Sequence, residues 1–220
     1  VNPMQSHIFK NVFKKIDRLL YRRGGFVVIS NNCWGGEIYK TLNIPYNTPF
    51  VGLFIYGPDY IKLLENFDEY VKSNLTFTKQ SEFTHEEINY PIGKLNDVEI
   101  HFMHYSTEDE AKTKWDRRTK RMLQMEDKNS YYFKICDRDQ TTQEIMHRFH
   151  QLAFKNKISF GIKSFDNKNH LQIKLKNNSN QKCVPDGVKL FELMEKHVDI
   201  LRWVSKGKAK RTPYTHLKSL

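Results

Sequence analysis

Cysteine is scarce in this sequence and follows no pairing pattern. The three cysteines, Cys33, Cys136 and Cys183, are far apart and form no C-x-x-C pair. An odd number of isolated cysteines argues against a disulfide framework and against a structural zinc site with paired cysteine ligands. We therefore predict no structural metal site, and the sequence identifies no cofactor.

Long apolar runs and the common nucleotide motifs are also missing. No run of about 18 apolar residues occurs that would span a bilayer, and the basic N-terminal stretch does not resemble a signal peptide. These absences predict a cytoplasmic protein. Neither G-x-G-x-x-G nor G-x-x-x-x-G-K-[ST] is present, which argues against the dinucleotide and P-loop sites that depend on those glycines.

Positive charge is in excess. The chain has 36 lysines and arginines against 25 aspartates and glutamates, and its net charge is +11. Such a balance suits nucleic acid, an anionic membrane surface, or a phosphorylated or acidic small-molecule or glycan substrate. No nucleic-acid-binding module is recognisable, so we predict no specific nucleic-acid partner. Five of the positive charges fall in the last fifteen residues, at Lys206, Lys208, Lys210, Arg211 and Lys218.

Length and composition favour one domain. The 220 residues with 39% hydrophobic content predict a single α/β domain over residues 1–205 and a basic C-terminal tail over residues 206–220. Short apolar runs alternate with capped helical stretches, which predicts three layers: helices on both faces of a mixed, mostly parallel sheet. The first helix, from Met4 to Arg23, is amphipathic and basic. We expect it to cover the core, and the alternative is peripheral association with an anionic membrane.

The stretch from residue 24 to residue 54 is the best candidate for a functional site. Residues 26–29 predict a buried strand. The turn at its carboxyl end contains Asn31, Asn32, Cys33, Trp34, Gly35 and Gly36. Ligands of open α/β sheets bind outside the carboxyl ends of strands, and a glycine-rich turn exposes backbone N–H groups to phosphate. Tyr46 and Asn47 follow in a proline-rich loop that would form a pocket wall.

Two further predicted strands end in polar groups. Residues 98–105 alternate so that His101 and Tyr105 share one face, and His104 lies on the other. Residues 131–137 end at Asp137, and Asp139 lies just beyond the strand.

The predicted strands imply specific pairings. We expect the strands over residues 26–29, 98–103 and 132–136 to lie in one sheet. Segments 157–162 and 171–175 flank a polar turn and are expected to pair as a hairpin. Because the carboxyl ends of parallel strands open on the same edge of a sheet, we expect one shared pocket there. Its members would be Asn31, Asn32, Cys33, His104 and Tyr105.

A basic cluster lies on a predicted helix. A capping box that begins at Thr107 predicts a helix over residues 108–124. Arg117, Arg118 and Arg121 share one face of this helix and would together grip a phosphate or a carboxylate. The alternative is a solvated face, since acids in the first turn and bases in the last turn also suit the helix dipole.

Four blocks of the sequence resemble, in order, a known bacterial family. They are I-S-N-N-C-W-G-G over residues 29–36, P-Y-N-T-P-F-V-G-L-F over 45–54, E-I-H-F-M-H-Y over 99–105 and K-W-D-R-R over 114–118. The family is domain of unknown function family 1919, whose members are often labelled exopolysaccharide biosynthesis proteins. The resemblance implies an α/β fold with helices on a mixed sheet and a role in building or modifying surface polysaccharide. It assigns no catalytic residue.

The function we expect is a transferase that uses a phosphorylated, activated donor, either a sugar nucleotide or an acyl-coenzyme A. Acyl transfer would use Cys33 as nucleophile and His101 or His104 as base, since a thiolate needs a nearby base or a helix N-terminus. Glycosyl transfer would instead use Asp137 and Asp139, whose carboxylates would hold a divalent ion on the donor's diphosphate.

The alternative is a non-catalytic protein of the same pathway. It would bind a glycan or a lipid-linked intermediate, and its sugar-stacking surfaces would be Trp34, Tyr46 and Trp115.

Overall fold

Two β-sheets form the framework of the chain. The computed structural model describes residues 3–21, 25–174, 181–194, 197–208 and 212–218. Its strands are β1 (Val27–Ser30), β2 (Leu75–Thr78), β3 (Ile92–Leu95), β4 (Val98–His101), β5 (Tyr131–Cys136), β6 (Asn156–Gly161) and β7 (His170–Gln172). A parallel sheet has the order β1-β5-β6-β7, and an antiparallel sheet has the order β2-β3-β4. The predicted mixed α/β class is confirmed.

Helices cover both faces of the parallel sheet. They are α1 (Pro3–Leu20), α2 (Trp34–Leu42), α3 (Gly57–Glu65), α4 (Phe67–Tyr70), α5 (Glu108–Leu123), α6 (Gln143–Gln151), α7 (Gly187–Met194), α8 (Ile200–Lys206) and α9 (Pro213–Lys218). Val27 and Ile29 of β1 join an apolar core with α3 to α6, whereas Val28 joins a second core with α2, α7 and α8. Successive strand residues point to opposite faces, which is why a continuous apolar run builds two cores and three layers.

The strand predicted over residues 98–103 does not lie in the parallel sheet, so that prediction is wrong. β4 pairs antiparallel with β3, with Leu95 opposite Val98. Only Asn96 and Asp97 separate the two strands, and Asn96 has a φ of 52°. A two-residue turn in the left-handed region pairs neighbouring strands as a hairpin, and this local pairing excludes β4 from the parallel sheet. A single bridge between Phe54 and His101 links it to the loop before α3.

The hairpin predicted from segments 157–162 and 171–175 is also wrong, because β6 and β7 pair in parallel. The connecting residues 162–169 carry the chain back along the sheet, so that Ser159 lies opposite His170. Leu175 of the predicted second segment lies outside the described residues.

The chain ends lie together. Helix α9 packs on α1, where the rings of Phe13 and Tyr214 meet at 5.8 Å, so the predicted basic tail contains a helix. Lys210 and Arg211 of that tail, and residues 22 and 23 of the predicted first helix, lie outside the described residues. Within the described part of the chain, no helix combines the length and the apolar character needed to cross a bilayer.

Candidate functional site at the carboxyl edge of the parallel sheet

A buried polar cluster lies where the loop after β1 meets strand β5. Nζ of Lys134 is 2.9 Å from Oδ1 of Asn32, 3.1 Å from Oδ1 of Asn31 and 3.2 Å from Sγ of Cys136. All four side chains are buried. Burial lowers the pKa of Lys134, and the adjacent Cys136 sulfur opposes that shift. With three acceptors around its amine, Lys134 holds both amides in place and has no donor directed at solvent.

Asp139 lies beside this cluster in the loop between β5 and α6. Its φ is 55°, in the left-handed region, and its backbone oxygen accepts a 2.7 Å hydrogen bond from Gly57 N. The close approach needs a glycine, because a Cβ on Gly57 would lie 2.5 Å from Oγ1 of Thr141. The start of α3 therefore holds the Asp139 loop against the sheet edge.

The carboxylate of Asp139 is largely enclosed. Its side chain is 17% exposed, and Arg138 Nε lies 3.6 Å away. Burial raises the pKa of Asp139, while the positive charges of Arg138 and Lys134 oppose the shift. A carboxyl group with a raised pKa at a strand end is a candidate general acid or base.

Asp137 has a different role from the one predicted. Its two carboxylate oxygens accept backbone N–H bonds from Ile162 at 2.7 Å and from Val184 at 2.8 Å. Both oxygens are thus used to join two loops, which does not support the predicted role of Asp137 in holding a divalent ion.

The glycine turn is closed rather than open to a ligand. A Cβ on Gly35 would lie 2.9 Å from Cβ of Ser30, and one on Gly36 would lie 3.3 Å from Val51. Gly187, at the start of α7, lies so close to the turn that its Cβ would be 2.5 Å from the backbone nitrogen of Trp34. These glycines permit close packing of α2 and α7, and the structure does not support a diphosphate site at Gly35 and Gly36.

Cys33 precedes α2 and is partly exposed. Its sulfur lies 3.7 Å from the backbone oxygen of Leu53 and 3.9 Å from Sδ of Met103. Burial raises the pKa of Cys33 to about 11, although the positive charge of Lys40 opposes the shift. A thiol in this state is protonated at neutral pH and is a poor nucleophile.

Neither predicted base contacts Cys33. His101 is fully buried, and its Nε2 lies 2.7 Å from Oε1 of Glu99 while its Nδ1 lies 3.2 Å from the hydroxyl of Tyr90. His104 joins the site through its backbone N–H, which donates to Gly52 O at 3.1 Å, and its side chain is exposed. The predicted Cys–His pair for acyl transfer is therefore absent from this arrangement.

The three arginines of α5 are not equivalent. Arg118 is only 8% exposed. It donates a 2.7 Å hydrogen bond to the hydroxyl of Tyr105 and lies 4.9 Å from the ring centre of Tyr46. Arg121 is exposed and donates to the backbone oxygen of Tyr46 at 3.2 Å, and Arg117 is exposed. Within the described residues no carboxylate pairs with Arg118.

The predicted sugar-stacking tryptophans are core residues. Trp34 is fully buried against Phe160 and Trp203, and Trp115 is buried against Phe50. Burial leaves neither ring face available to a sugar, so this prediction is wrong for both tryptophans.

The loop residue Asn47 is also structural. Its Oδ1 accepts a hydrogen bond from the hydroxyl of Tyr39 at 2.6 Å, and its Nδ2 donates to the backbone oxygen of Phe26 at 2.8 Å. Tyr46 stays half-buried.

The residues that the sequence reasoning missed are Lys134, Glu99 and Tyr90. A lone lysine inside the apolar strand 131–136 was a usable signal, since a buried charge needs polar partners. The alternation over residues 98–105 already places Glu99 beside His101 on one face. The contact between Tyr90 and His101 depends on the β3–β4 pairing and has no local signal.

The sequence matches the family described as Domain of unknown function (DUF1919) over residues 4–205. It is also similar to an uncharacterized protein of Haemophilus influenzae (strain ATCC 51907 / DSM 11121 / KW20 / Rd). The two are 40% identical over 171 residues, which cover 75% of this chain and 78% of that protein. The family match includes every residue of the carboxyl edge described above.

Proposed function

This chain belongs to the DUF1919 family, and from the arrangement at its sheet edge we propose that it is a transferase. It would move a sugar from a phosphorylated, activated donor to an acceptor in the synthesis of bacterial surface polysaccharide. The pathway is the one that the family resemblance implies. The residues described here support the chemistry.

The observation that carries the proposal is the environment of Asp139. Its enclosed carboxyl group has a pKa raised by burial, lies at the carboxyl end of a parallel strand, and is adjacent to Arg138. In open α/β sheets this edge is where ligands bind. A carboxyl group that keeps its proton more readily than usual suits proton transfer to or from a reacting oxygen.

Two arginines are the candidates to hold the donor's phosphates. Arg138 lies next to Asp139, and its other contact in the described chain is a 3.3 Å hydrogen bond to the backbone oxygen of Val184. Arg118 has an aromatic and a hydroxyl partner but no carboxylate partner among the described residues. A guanidinium with that environment is well suited to bidentate phosphate binding, whereas Arg138 would share its charge between Asp139 and the donor.

Sugar transfer fits this site better than acyl transfer. The raised pKa of Cys33 and the absence of a histidine contact leave acyl transfer without an activated nucleophile. Transfer from a glycosyl donor would use a carboxyl group for proton transfer and an arginine to hold the phosphates. Asp139 and Arg138 supply these two groups at the edge of the parallel sheet.

We place the reaction in the cytoplasm, with peripheral contact to an anionic membrane through α1. The exposed face of α1 carries Val12, Leu19 and Leu20 together with Lys14 and Lys15. Apolar side chains beside lysines are typical of helices that lie on anionic membranes.

An Asp139→Asn variant tests the proposal. The probes are UDP-glucose, UDP-N-acetylglucosamine and acetyl-coenzyme A, tested for a rise in melting temperature and for turnover. We expect a sugar nucleotide to stabilise the native protein, because a ligand that binds only the folded state shifts the unfolding equilibrium. The variant should still bind that donor but lose turnover by about 100-fold or more.

An Asp166→Asn variant, which changes an exposed aspartate, is the matched control and should behave as the wild type. Binding without turnover in the wild type would favour the non-catalytic glycan-binding alternative. Stabilisation by acetyl-coenzyme A alone, or by none of the probes, would contradict the proposal.

A further inference from the structure

A second set of reactive groups lies on strand β4 of the antiparallel sheet and in the segment before β3, and it is not used by the roles assigned above. We propose that Tyr90, His101 and Glu99 form a proton relay in which Tyr90 removes the proton from an acceptor hydroxyl. This inference rests on the proposed function, since it supplies the base for the same transfer. Tyr90 would be the catalytic residue, and His101 and Glu99 would act through it.

Hydrogen bonding defines the direction of the relay. The Glu99 carboxylate only accepts, so the 2.7 Å contact requires that His101 Nε2 carry the proton. Nδ1 of the neutral ring is then an acceptor, and the hydroxyl of Tyr90 donates to it at 3.2 Å. This order of hydroxyl, imidazole and buried carboxylate is the order that activates a hydroxyl group in hydrolase triads.

The surroundings hold both positioning residues in place. The other carboxylate contacts of Glu99 include the backbone N–H of Glu82 at 3.0 Å and the hydroxyl of Ser81 at 2.5 Å. The ring of His101 stacks on Phe54 at 4.5 Å. Glu99 and His101 are both fully buried, and ring rotation would break the bond to the carboxylate.

The protonation states suit a relay at neutral pH. Burial lowers the pKa of His101, although Glu99 opposes the shift, so the ring is neutral and can accept a proton. Burial raises the pKa of Tyr90, and the charges of Tyr56, Glu99 and Asp139 add to the effect. Both shifts favour the resting state with the proton on Tyr90, so its transfer to His101 requires that the acceptor hydroxyl give its own proton to the Tyr90 oxygen in the same step. Gly57 N donates to the backbone oxygen of Asp139 at 2.7 Å, and the ring of the adjacent Tyr56 packs edge-on against His101 at 5.2 Å, so residues 56 and 57 connect the relay to the proposed acid.

Tyr90 opens on a cleft that suits a polyhydroxylated acceptor. The cleft has a volume of about 670 Å³ and lies between the segment 78–92 and Glu108 at the start of α5. Its lining includes the polar side chains of Thr78, Gln80, Ser81 and Thr84. Hydroxyl and amide groups with an aromatic neighbour are the usual partners of a sugar, so a carbohydrate hydroxyl is the substrate class expected beside Tyr90.

The step is balanced without a further reactant. The acceptor hydroxyl gives its proton to the Tyr90 oxygen as Tyr90 gives its own proton to Nδ1 of His101. The acceptor oxygen bonds to the anomeric carbon of the donor sugar, and the bond from that carbon to the donor phosphate breaks. The leaving phosphate takes the electron pair, and Glu99 stabilises the imidazolium until its proton returns to solvent.

Labelling with benzenesulfonyl fluoride tests the relay without a donor. Mass spectrometry of peptides gives the rate at which each tyrosine hydroxyl is sulfonylated. Tyr56 is the internal reference, because it is also half-buried and, although its ring packs on His101, its hydroxyl has no hydrogen-bond partner in the described chain. We expect Tyr90 to react about 100-fold faster than Tyr56. A Glu99→Gln variant should remove most of this difference and leave the rate at Tyr56 unchanged.

Equal rates at Tyr90 and Tyr56, or an unchanged rate at Tyr90 in Glu99→Gln, would overturn the relay. If that variant does not fold, ¹⁵N NMR of the wild type decides. A neutral His101 with its proton on Nε2 supports the relay, and the opposite tautomer or an imidazolium at neutral pH overturns it. A reactive Tyr90 in a protein that binds no donor would contradict only the proposed function. Donor turnover retained in Tyr90→Phe would contradict only the relay.

Discussion

Nζ of Lys134 lies 2.9 Å from Oδ1 of Asn32, although the two residues are 102 positions apart in the chain. The contact joins β5 to the loop after β1 across a parallel strand pair. It orders the polar end of β1, and the charge of Lys134 opposes the rise in the pKa of Asp139. The shape of the candidate site thus depends on a lysine whose amine does not reach solvent.

A Lys134→Met variant should therefore be less stable than the wild type. Methionine fills a similar volume but leaves the amide oxygens of Asn31 and Asn32 without their donor. An unsatisfied buried acceptor costs about 1–3 kcal/mol, and removal of a buried charge offsets part of that cost. The free energy of unfolding in urea is the measurement, and Lys168→Met, at an exposed lysine, is the control. Equal stability of the two variants would show that the amides do not depend on Lys134.

Cys33 should alkylate slowly at neutral pH. Its pKa is raised to about 11 by burial, so the thiolate fraction is small and should grow only as the pH rises well above 8.5. The rate of iodoacetamide modification, followed by peptide mass spectrometry across pH, measures this. Cys136 is fully buried and should react only on unfolding. A rate midpoint for Cys33 below about 8.5 would restore it as a candidate nucleophile.

Local pattern predicted the elements of the parallel sheet well. The apolar runs of β1 and β5 are buried on both faces, as continuous runs of this kind indicate. The predicted N-cap of α5 forms, because Thr107 accepts from Glu110 N at 3.1 Å, and the Glu110 carboxylate accepts from Ser106 N at 2.9 Å, one residue before the N-cap. These features depend on neighbouring residues, which is why sequence alone was sufficient.

Pairing between distant strands was less predictable. The alternation in β4 shows which side chains share a face but does not show which strand lies beside it, so its sheet was assigned wrongly. The turn at Asn96 and Asp97 was the available signal for a hairpin. Within the site, the sequence placed Asn31 and Asn32 at a strand end. That Lys134 faces them follows from the register between two strands, which no local pattern specifies.

The stability of the protein should fall in mild acid because of His150. Its Nε2 lies 2.8 Å from the Ser159 hydroxyl, which lies 2.8 Å from Nδ1 of His170. Burial, together with the nearby charges of Lys157, His170 and His147, lowers the pKa of His150 from 6.5 to about 4. Between pH 6.5 and about 4 the unfolded chain binds more protons than the native protein. The contribution of neutral His150 to the free energy of unfolding is therefore complete above pH 6.5 and is lost as the pH falls toward 4.

Urea unfolding across this pH range measures the effect in the wild type and in His150→Asn. The variant should show a weaker dependence on pH because it lacks the group that takes up the proton. His104→Asn is the control, since His104 is exposed and lies outside helix α6. The same slope in the wild type and in His150→Asn would assign the acid sensitivity to other groups.

Substitution of Arg118 should destabilise the protein more than substitution of Arg117, because Arg118 is buried and Arg117 is exposed. Arg118→Ala removes the hydrogen bond to Tyr105 and the stacking on Tyr46. A hydrogen bond from a charged group contributes about 1.5–3 kcal/mol, whereas an exposed substitution such as Arg117→Ala usually changes stability by no more than about 0.5 kcal/mol.

Arg118→Lys keeps the charge but cannot form the planar stack on Tyr46. It should therefore recover part of the stability and part of the affinity for inorganic pyrophosphate, measured by calorimetry. If Arg118→Ala matches Arg117→Ala in both stability and pyrophosphate affinity, the buried arginine neither supports the fold nor anchors an anion.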